Sequence, residues 1–393
     1  MNILYCSTLC SKRTINVIEE KYNTLLSGIT TQKYHRLIIT GLCKNGNTID
    51  AISSIPITKT KETVIKLDND VEDSIIYHYP ITINIPIIRH LCIFLGTIYN
   101  IVIWAIKNRN KSKVIICDIL NISTTLGAIV SRILGNRVVG IVTDMPGLMI
   151  TTTKNRYSNI IKNVNLYILN KLDAYVFLTE AMNDVINKKH RPYIIMEGLV
   201  DNEMQYHHRD TTNVDTKNII YAGGLYEQYG VKNLIEAFIK LEGDDYRLLL
   251  FGTGPMSNTI CEYEQMDSRI KYLGLRPNSE IVKEELKAYL LVNPRPTHEE
   301  FTKYSFPSKN MEYMASGTPL LTTNLPGMPE EYHKYVFICN NENSEGIYNE
   351  FIKISQIPEK DLKRIGENAK CFVLNHKNNI MQASRIIELV NII

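Results

Sequence analysis

Short runs rich in Ile and Val alternate along the chain with stretches whose apolar positions recur every three or four residues. That alternation is the signature of βαβ units and a parallel sheet. In the first half NILYCS, TIDAIS, TVIKL, KVIICD, VVGIVTD and AYVFLT predict strands, and QKYHRLIITGLCKNG, STTLGAIVSRILG and SNIIKNVNLYILNKL predict helices. The first two helices end at Gly46 and Gly135, since glycine just past the last turn is the expected stop. From about Gly198 to Thr216 the periodicity is lost and polar residues accumulate, so a linker is expected over residues 201–216. The alternation then restarts with strand NIIYAG, helix NLIEAFIKL, strands YRLLLFG and IKYLG, helix SEIVKEELKAY, strand LLVNP, a helix in SKNMEYMAS and strand PLLTT. A closing helix, NIMQASRIIELVNII, ends the chain. The fold class is α/β: two facing Rossmann-like, doubly wound domains, residues 1–200 and 217–375, with 376–393 a terminal helix placed to pack back on the first domain. Ligands of such sheets bind beyond the strands' carboxyl ends, where strand order reverses, which makes an interdomain cleft the expected site.

Length agrees with two domains, because 393 residues exceed what one hydrophobic core supports. With 44% hydrophobic and 22% charged residues, disordered and fibrous classes drop out. The net charge of +3 (44 − 41) is too small to argue for a nucleic-acid partner. Eight scattered cysteines, with no CxxC pair, read as reduced core thiols of a cytosolic protein. The start, MNILYCSTLC, lacks the pattern of a signal peptide, so export is not expected. The segment Ile87 to Ile106 has the length of a membrane span but carries Arg89, His90 and Asn100, and a buried or membrane-surface helix is expected instead. Lys154, Arg156, Lys162 and Lys171 lie on a basic amphipathic stretch. The two segments together favour a peripheral position at the cytoplasmic face of a membrane, the alternative being two core helices with wet backs.

The stretch YSFPSKNMEYMASG holds the main candidate chemistry. Pro307 suits a helix start, Ser308 is the expected cap and Gly317 closes the helix. Lys309 and Glu312, at i and i+3, share one face about 4.5 Å apart along the axis. Lys309 and free backbone N–H groups suit a phosphate, and Glu312 suits a pair of ribose hydroxyls one turn deeper. An exposed ion pair worth a few tenths of a kcal/mol is the alternative. Gly223 and Gly224, after a strand, permit close backbone approach to a phosphate, or simply a tight turn. Asp118 and Asp144 end strands; Asp144 suits orientation or deprotonation of an acceptor hydroxyl, whereas Asp118 reads as a turn aspartate. Lys12 and Arg13, in the loop after the first strand, with Lys33 and His35 of QKYH across from it, suit an acidic acceptor such as a lipid diphosphate. The acidic run LDNDVEDS reads as solvated, and no metal site is expected.

YAGGLYEQYGVKNLIEAF, LLLFGTGP, IKYLG and YSFPSKNMEYMASGTPLLTTNLPGMPEE occur in the order seen in family-4-type (group 1) glycosyltransferases of the GT-B fold. The chain resembles that family over Asn218 to Glu331, most of all a polysaccharide-biosynthesis branch with a PSK..EY motif. The resemblance implies that Glu312 contacts ribose, that Gly252 and Gly254 belong to the donor side, and that Thr302, Tyr304, Ser305, Phe306, Pro307 and Ser308 lie near the transferred sugar. Two departures stand out. Tyr304 occupies the place of a usual glutamate, and Gly224 and Tyr229 stand where an arginine and a lysine usually clamp the diphosphate. Lys309, helped by Arg295, inherits that role. The implied activity is retaining, metal-independent and cofactor-free transfer of a sugar from a nucleotide-diphosphate donor to a glycan acceptor, lipid-linked, in surface polysaccharide assembly. The alternatives are an epimerase of similar fold and a non-catalytic nucleotide-sugar-binding module.

Overall fold

The computed structural model describes residues 1–22, 28–57, 60, 62–145, 156–209 and 216–393. The chain forms two compact units: Met1–Met196 with Asn379–Ile393, and Glu197–Asn378.

In the first unit the elements are β1 (Asn2–Ser7), α1 (Lys12–Tyr22), α2 (Ile29–Lys44), β2 (Thr48–Ser53), β3 (Val64–Ile65), β4 (Asp70–Glu72), β5 (Ile75–His78), β6 (Thr82–Ile83), α3 (Pro86–Lys107), β7 (Lys113–Asp118), α4 (Ile122–Val130), β8 (Val138–Val142), α5 (Arg156–Leu169), β9 (Ala174–Phe177), α6 (Glu180–Ile186) and β10 (Tyr193–Ile195). The main sheet runs β10-β9-β8-β7-β1-β2-β5-β4, parallel except for β4. Strand order reverses between β1 and β7. All six residues of β1 are buried, as a strand covered on both faces requires, and its sequence is correspondingly apolar.

Two sequence expectations are corrected at the sheet's edge. TVIKL contributes only Val64–Ile65, paired with β6 in a separate antiparallel ribbon. The run LDNDVEDS is not merely solvated, because β4 lies within it. Asp70 accepts hydrogen bonds from Ser11 Oγ (2.5 Å), Thr14 Oγ1 (3.0 Å) and Tyr79 (3.2 Å), and Glu72 accepts from the Lys12 N–H (2.8 Å). The loop expected at Lys12 and Arg13 is instead the first turn of α1.

The second unit comprises β11 (Lys217–Ala222), α7 (Val231–Ile239), β12 (Tyr246–Phe251), α8 (Ser257–Met266), β13 (Ile270–Gly274), α9 (Asn278–Glu285), β14 (Leu290–Asn293), α10 (Ser308–Ser316), β15 (Leu320–Thr323), β16 (Phe337–Cys339), α11 (Ser344–Ser355) and α12 (Glu359–His376). Its parallel sheet runs β13-β12-β11-β14-β15-β16, with order reversing between β11 and β14. Successive β11 side chains feed opposite cores. Ile219 and Tyr221 pack with α7 and α11, whereas Ile220 and Ala222 pack with α10 and α12. Each large side chain so buried contributes about 1.5–3 kcal/mol.

The last helix, α13 (Asn379–Ile392), belongs to the first unit. It lies on α2 so closely that a Cβ at Gly41 would stand 2.1 Å from the Asn379 carbonyl oxygen. Asn379 Nδ2 donates to Leu37 O (3.2 Å) and Asn45 Nδ2 to Ile380 O (2.9 Å).

Candidate functional site

In the second unit the reversal of strand order brings two loop starts together. β11 passes to Gly223 and Gly224; β14 passes to Pro294 and Arg295. The Gly223 N–H donates to Phe251 O (3.0 Å) and the Leu225 N–H to Thr253 O (3.0 Å), which laces the loops after β11 and β12. Gly252 has φ +128°, and a Cβ there would meet Gly223 O at 1.9 Å; at Gly254 it would meet Leu225 O at 2.3 Å. Only glycine fits this backbone-on-backbone contact. Gly252 and Gly254 thus hold the glycine loop in place from beneath.

Arg295 stands beside that loop in an unusual state. Its guanidinium lies 4.6 Å from the Tyr229 ring centroid and 5.6 Å from that of Phe301. Tyr229 in turn packs against Gly224. Arg295 Nε is buried with no hydrogen-bond partner, and no carboxylate among the described residues offsets the charge. Burial pushes its pKa below the ordinary arginine value, only partly countered by Tyr229 and Tyr221. Arginine remains charged even so. A stacked cation without a counter-ion is an anion site by its electrostatics.

Lys309 is in the opposite state. Its Nζ lies 2.6 Å from Glu312 Oε1 and 3.6 Å from Glu285 Oε1. Burial would lower its pKa, but the two carboxylates outweigh burial and hold it above the ordinary lysine value. Glu312 Oε1 also accepts from Asn278 Nδ2 (3.0 Å). Glu285, at the end of α9, is fully buried and gave no sign in a sequence that reads as plain amphipathic helix.

The start of α10 is fastened on three sides. The Ala222 N–H donates to the Tyr313 hydroxyl (2.8 Å), which ties the helix to the end of β11. Asn293 Nδ2 donates to Asn310 Oδ1 (2.6 Å), and Asn310 Nδ2 to Thr322 Oγ1 (3.2 Å), which ties it to β14 and β15. Pro307 takes the N-cap position without a side-chain cap and Ser308 is the first helical residue, which corrects the expected serine cap. Gly317 closes the helix at φ +80°, as expected. Of the residues assigned to the transferred sugar, Tyr304, Ser305 and Ser308 keep accessible surface. Phe306 and Pro307 are buried, Phe306 against Tyr332. Thr302 is also buried, its hydroxyl donating to Glu299 O (2.6 Å).

In the first unit, Lys12, Arg13 and Lys33 are exposed, and His35 is fully buried. His35 Nδ1 lies 2.6 Å from the Tyr5 hydroxyl and Nε2 lies 3.2 Å from Asp118 Oδ2, so the ring bridges core groups. Asp144, just past β8, is half-buried; burial pushes its carboxyl pKa up, against a hydrogen bond from the Met145 N–H (2.8 Å). Residues 146–155, Lys154 among them, lie outside the described residues, as do the side chains at 156 and 162. Near the reversal of strand order, Thr8, Ser54, Arg89, His90, Asp118 and Asn121 are among the residues lining a cavity of about 710 Å³. Arg89 donates to Ile57 O (2.6 Å) and Ile55 O (2.9 Å), and His90 Nδ1 lies 3.0 Å from Ser123 Oγ. Neither Lys12, Arg13, Lys33 nor His35 lines this cavity. Arg89 and His90 were visible in the sequence only as charges interrupting an apolar segment.

Residues 204–372 match the family model described as glycosyl transferases group 1. The chain is 24% identical over 277 residues, 64% of its length and 69% of the relative's, to the N-acetyl-alpha-D-glucosaminyl L-malate synthase of Bacillus anthracis. It is 25% identical over 159 residues, 39% of each chain, to the putative colanic acid biosynthesis glycosyltransferase WcaL of Escherichia coli strain K12. Among solved structures, Anabaena Alr3699/HepE in complex with UDP shares the fold at TM-score 0.64 and 13% identity, over the whole of both chains.

Proposed function

The chain is a glycosyltransferase of group 1 with the GT-B fold, and on that premise we propose that it transfers a sugar from a nucleotide-diphosphate donor to a lipid-linked glycan, with retention and without a metal. The observation that carries the donor assignment is Arg295: a cation stacked on Tyr229, beside the glycine loop, with no carboxylate among the described residues to answer it. Tyr229 stands where the family resemblance led us to expect a lysine. Arg295 reaches the same loop from the end of β14 and supplies the missing charge from a different strand.

Lys309 and the first amides of α10 complete the cradle. In the unliganded chain Glu312 holds Lys309; a diphosphate would share the ammonium, and Glu312 would turn its lone pairs to the ribose hydroxyls. When the bond from the anomeric carbon to the leaving oxygen breaks, its electron pair goes to the diphosphate. Arg295 and Lys309 offset that charge as it grows, and removing such a donor typically costs about a hundredfold or more in rate. Asp144 we assign to the acceptor hydroxyl, as orienting group or proton acceptor. The colanic acid relative supports a glycan acceptor, whereas the malate synthase, by its name, joins its sugar to a small hydroxy acid.

The test is release of nucleoside diphosphate from a nucleotide sugar. Acceptor-dependent release that persists in excess chelator is expected. Release abolished by chelator would overturn metal independence; interconversion of sugars without acceptor would mark an epimerase, and donor binding without turnover would mark a binding module.

A further inference from the structure

Helix α3 is long and apolar enough to cross a membrane, yet its inner face belongs to the core. Ile93, Thr97, Ile101, Trp104 and Ala105 are buried, and Trp104 Nε1 donates to Asp50 Oδ2 (3.1 Å). Arg89 is bound to the backbone of residues 55 and 57, as described above. The helix cannot leave the unit without losing all of this. Its outer face is different. Ile87, Leu91, Leu95, Tyr99, Ile103 and Ile106, spaced by four and then three residues, form one exposed stripe, with Ile87 84% and Tyr99 66% exposed. The 3-10 turn Ser131–Leu134, in contact with α3, adds Ile133 at 86% and Leu134 at 47%. A contiguous apolar surface of this kind marks an interaction site.

Charge identifies the partner. From Ser74 to Cys117 the sequence contains no Asp or Glu, while Lys107, Arg109 and Lys111 are exposed at the carboxyl end of the stripe. We propose that this face of the first unit docks on an anionic lipid bilayer, with the stripe at the headgroup–acyl boundary and the three cations on the headgroups. The amino-terminal end of α3 fits the same picture, because Pro86, Arg89, His90 and Ile93 line the 710 Å³ cavity. An acceptor anchored in the bilayer would therefore present its glycan at the cavity along the helix. That last step rests on the transferase reading; the docking does not.

Co-sedimentation of the full chain with vesicles of phosphatidylcholine, alone or mixed with phosphatidylglycerol, tests the docking without any donor present. Binding is expected to the mixed vesicles only. Leu95→Gln/Tyr99→Gln/Ile103→Gln should reduce it at least about tenfold, and Lys107→Gln/Arg109→Gln/Lys111→Gln should reduce it similarly and flatten its salt dependence. Circular dichroism and nucleotide titration on the same variants report that the fold is intact. No binding by the wild-type chain, or equal binding by folded variants, would overturn the proposal. So would a wild-type dimer that the apolar variant dissociates, since a second copy would then be the occupant.

Discussion

Arg295 and Lys309 are two cations in opposite electrostatic states, and substituting each should have opposite consequences for stability. Arg295→Met removes a half-buried charge that no carboxylate among the described residues offsets and keeps an apolar stem on Tyr229 and Phe301. Without ligand its thermal midpoint should stay level or rise, while affinity for nucleoside diphosphate falls at least about tenfold. Lys309→Met leaves Glu285 and Glu312 facing each other, and should destabilise the chain by about 1–3 kcal/mol. The sign with pH follows from the raised pKa of Lys309. Its contribution is complete below the ordinary lysine pKa and fades as pH climbs through the higher native value, so the stability gap to the variant should be flat near neutrality and shrink only in alkali. Asp144 is the converse case. Burial raises its pKa, so its ionisation weakens the fold as pH rises past the ordinary carboxylate range. Asp144→Asn should therefore cost no stability at neutral pH, yet lower turnover and remove the acidic limb of the pH–rate profile. An unchanged limb would dismiss Asp144 as the group that takes the proton.

At the scale of elements, the contact between α2 and α13 is the most exacting in the first unit. Gly41→Ala puts a methyl into the Asn379 carbonyl, and the thermal midpoint should fall by several degrees; a midpoint within error of wild type would mean that the helices slide apart freely. The same scale shows what was readable in advance. β1, β7 and β8 are buried on both faces and appear as unbroken apolar runs, so their positions were plain. β4 and β5 are an edge pair, β4 largely polar with its one apolar residue, Val71, exposed and β5 alternating, and the polar residues of LDNDVEDS hid the former. β3, only Val64–Ile65, pairs with β6 outside the main sheet, and two residues are too short for a periodicity to show.

For the molecule as a whole, two doubly wound units and a closing helix were legible from periodicity, whereas which unit that helix joins was not. The chemistry was legible only where it was local. Lys309 and Glu312 share one helix turn and announce each other, whereas Glu285 and Asn278 reach the same group from α9, and no sequence spacing connects them. Arg295 was visible only as a helper, because its isolation from carboxylates is a property of burial. Lys12, Arg13, Lys33 and His35 were chosen around the loop after the first strand, whereas the cavity of the first unit is lined by Arg89 and His90 from an apolar helix. In the proposed mechanism the cation on Tyr229 receives the donor's diphosphate. Calorimetric titration of the full chain and of Arg295→Met with UDP and other nucleoside diphosphates, and with the matching nucleosides, tests it most directly. Wild-type protein should bind a diphosphate far more tightly than its nucleoside, and the variant should lose most of that difference. A variant that binds the diphosphate as tightly as wild type would contradict the claim.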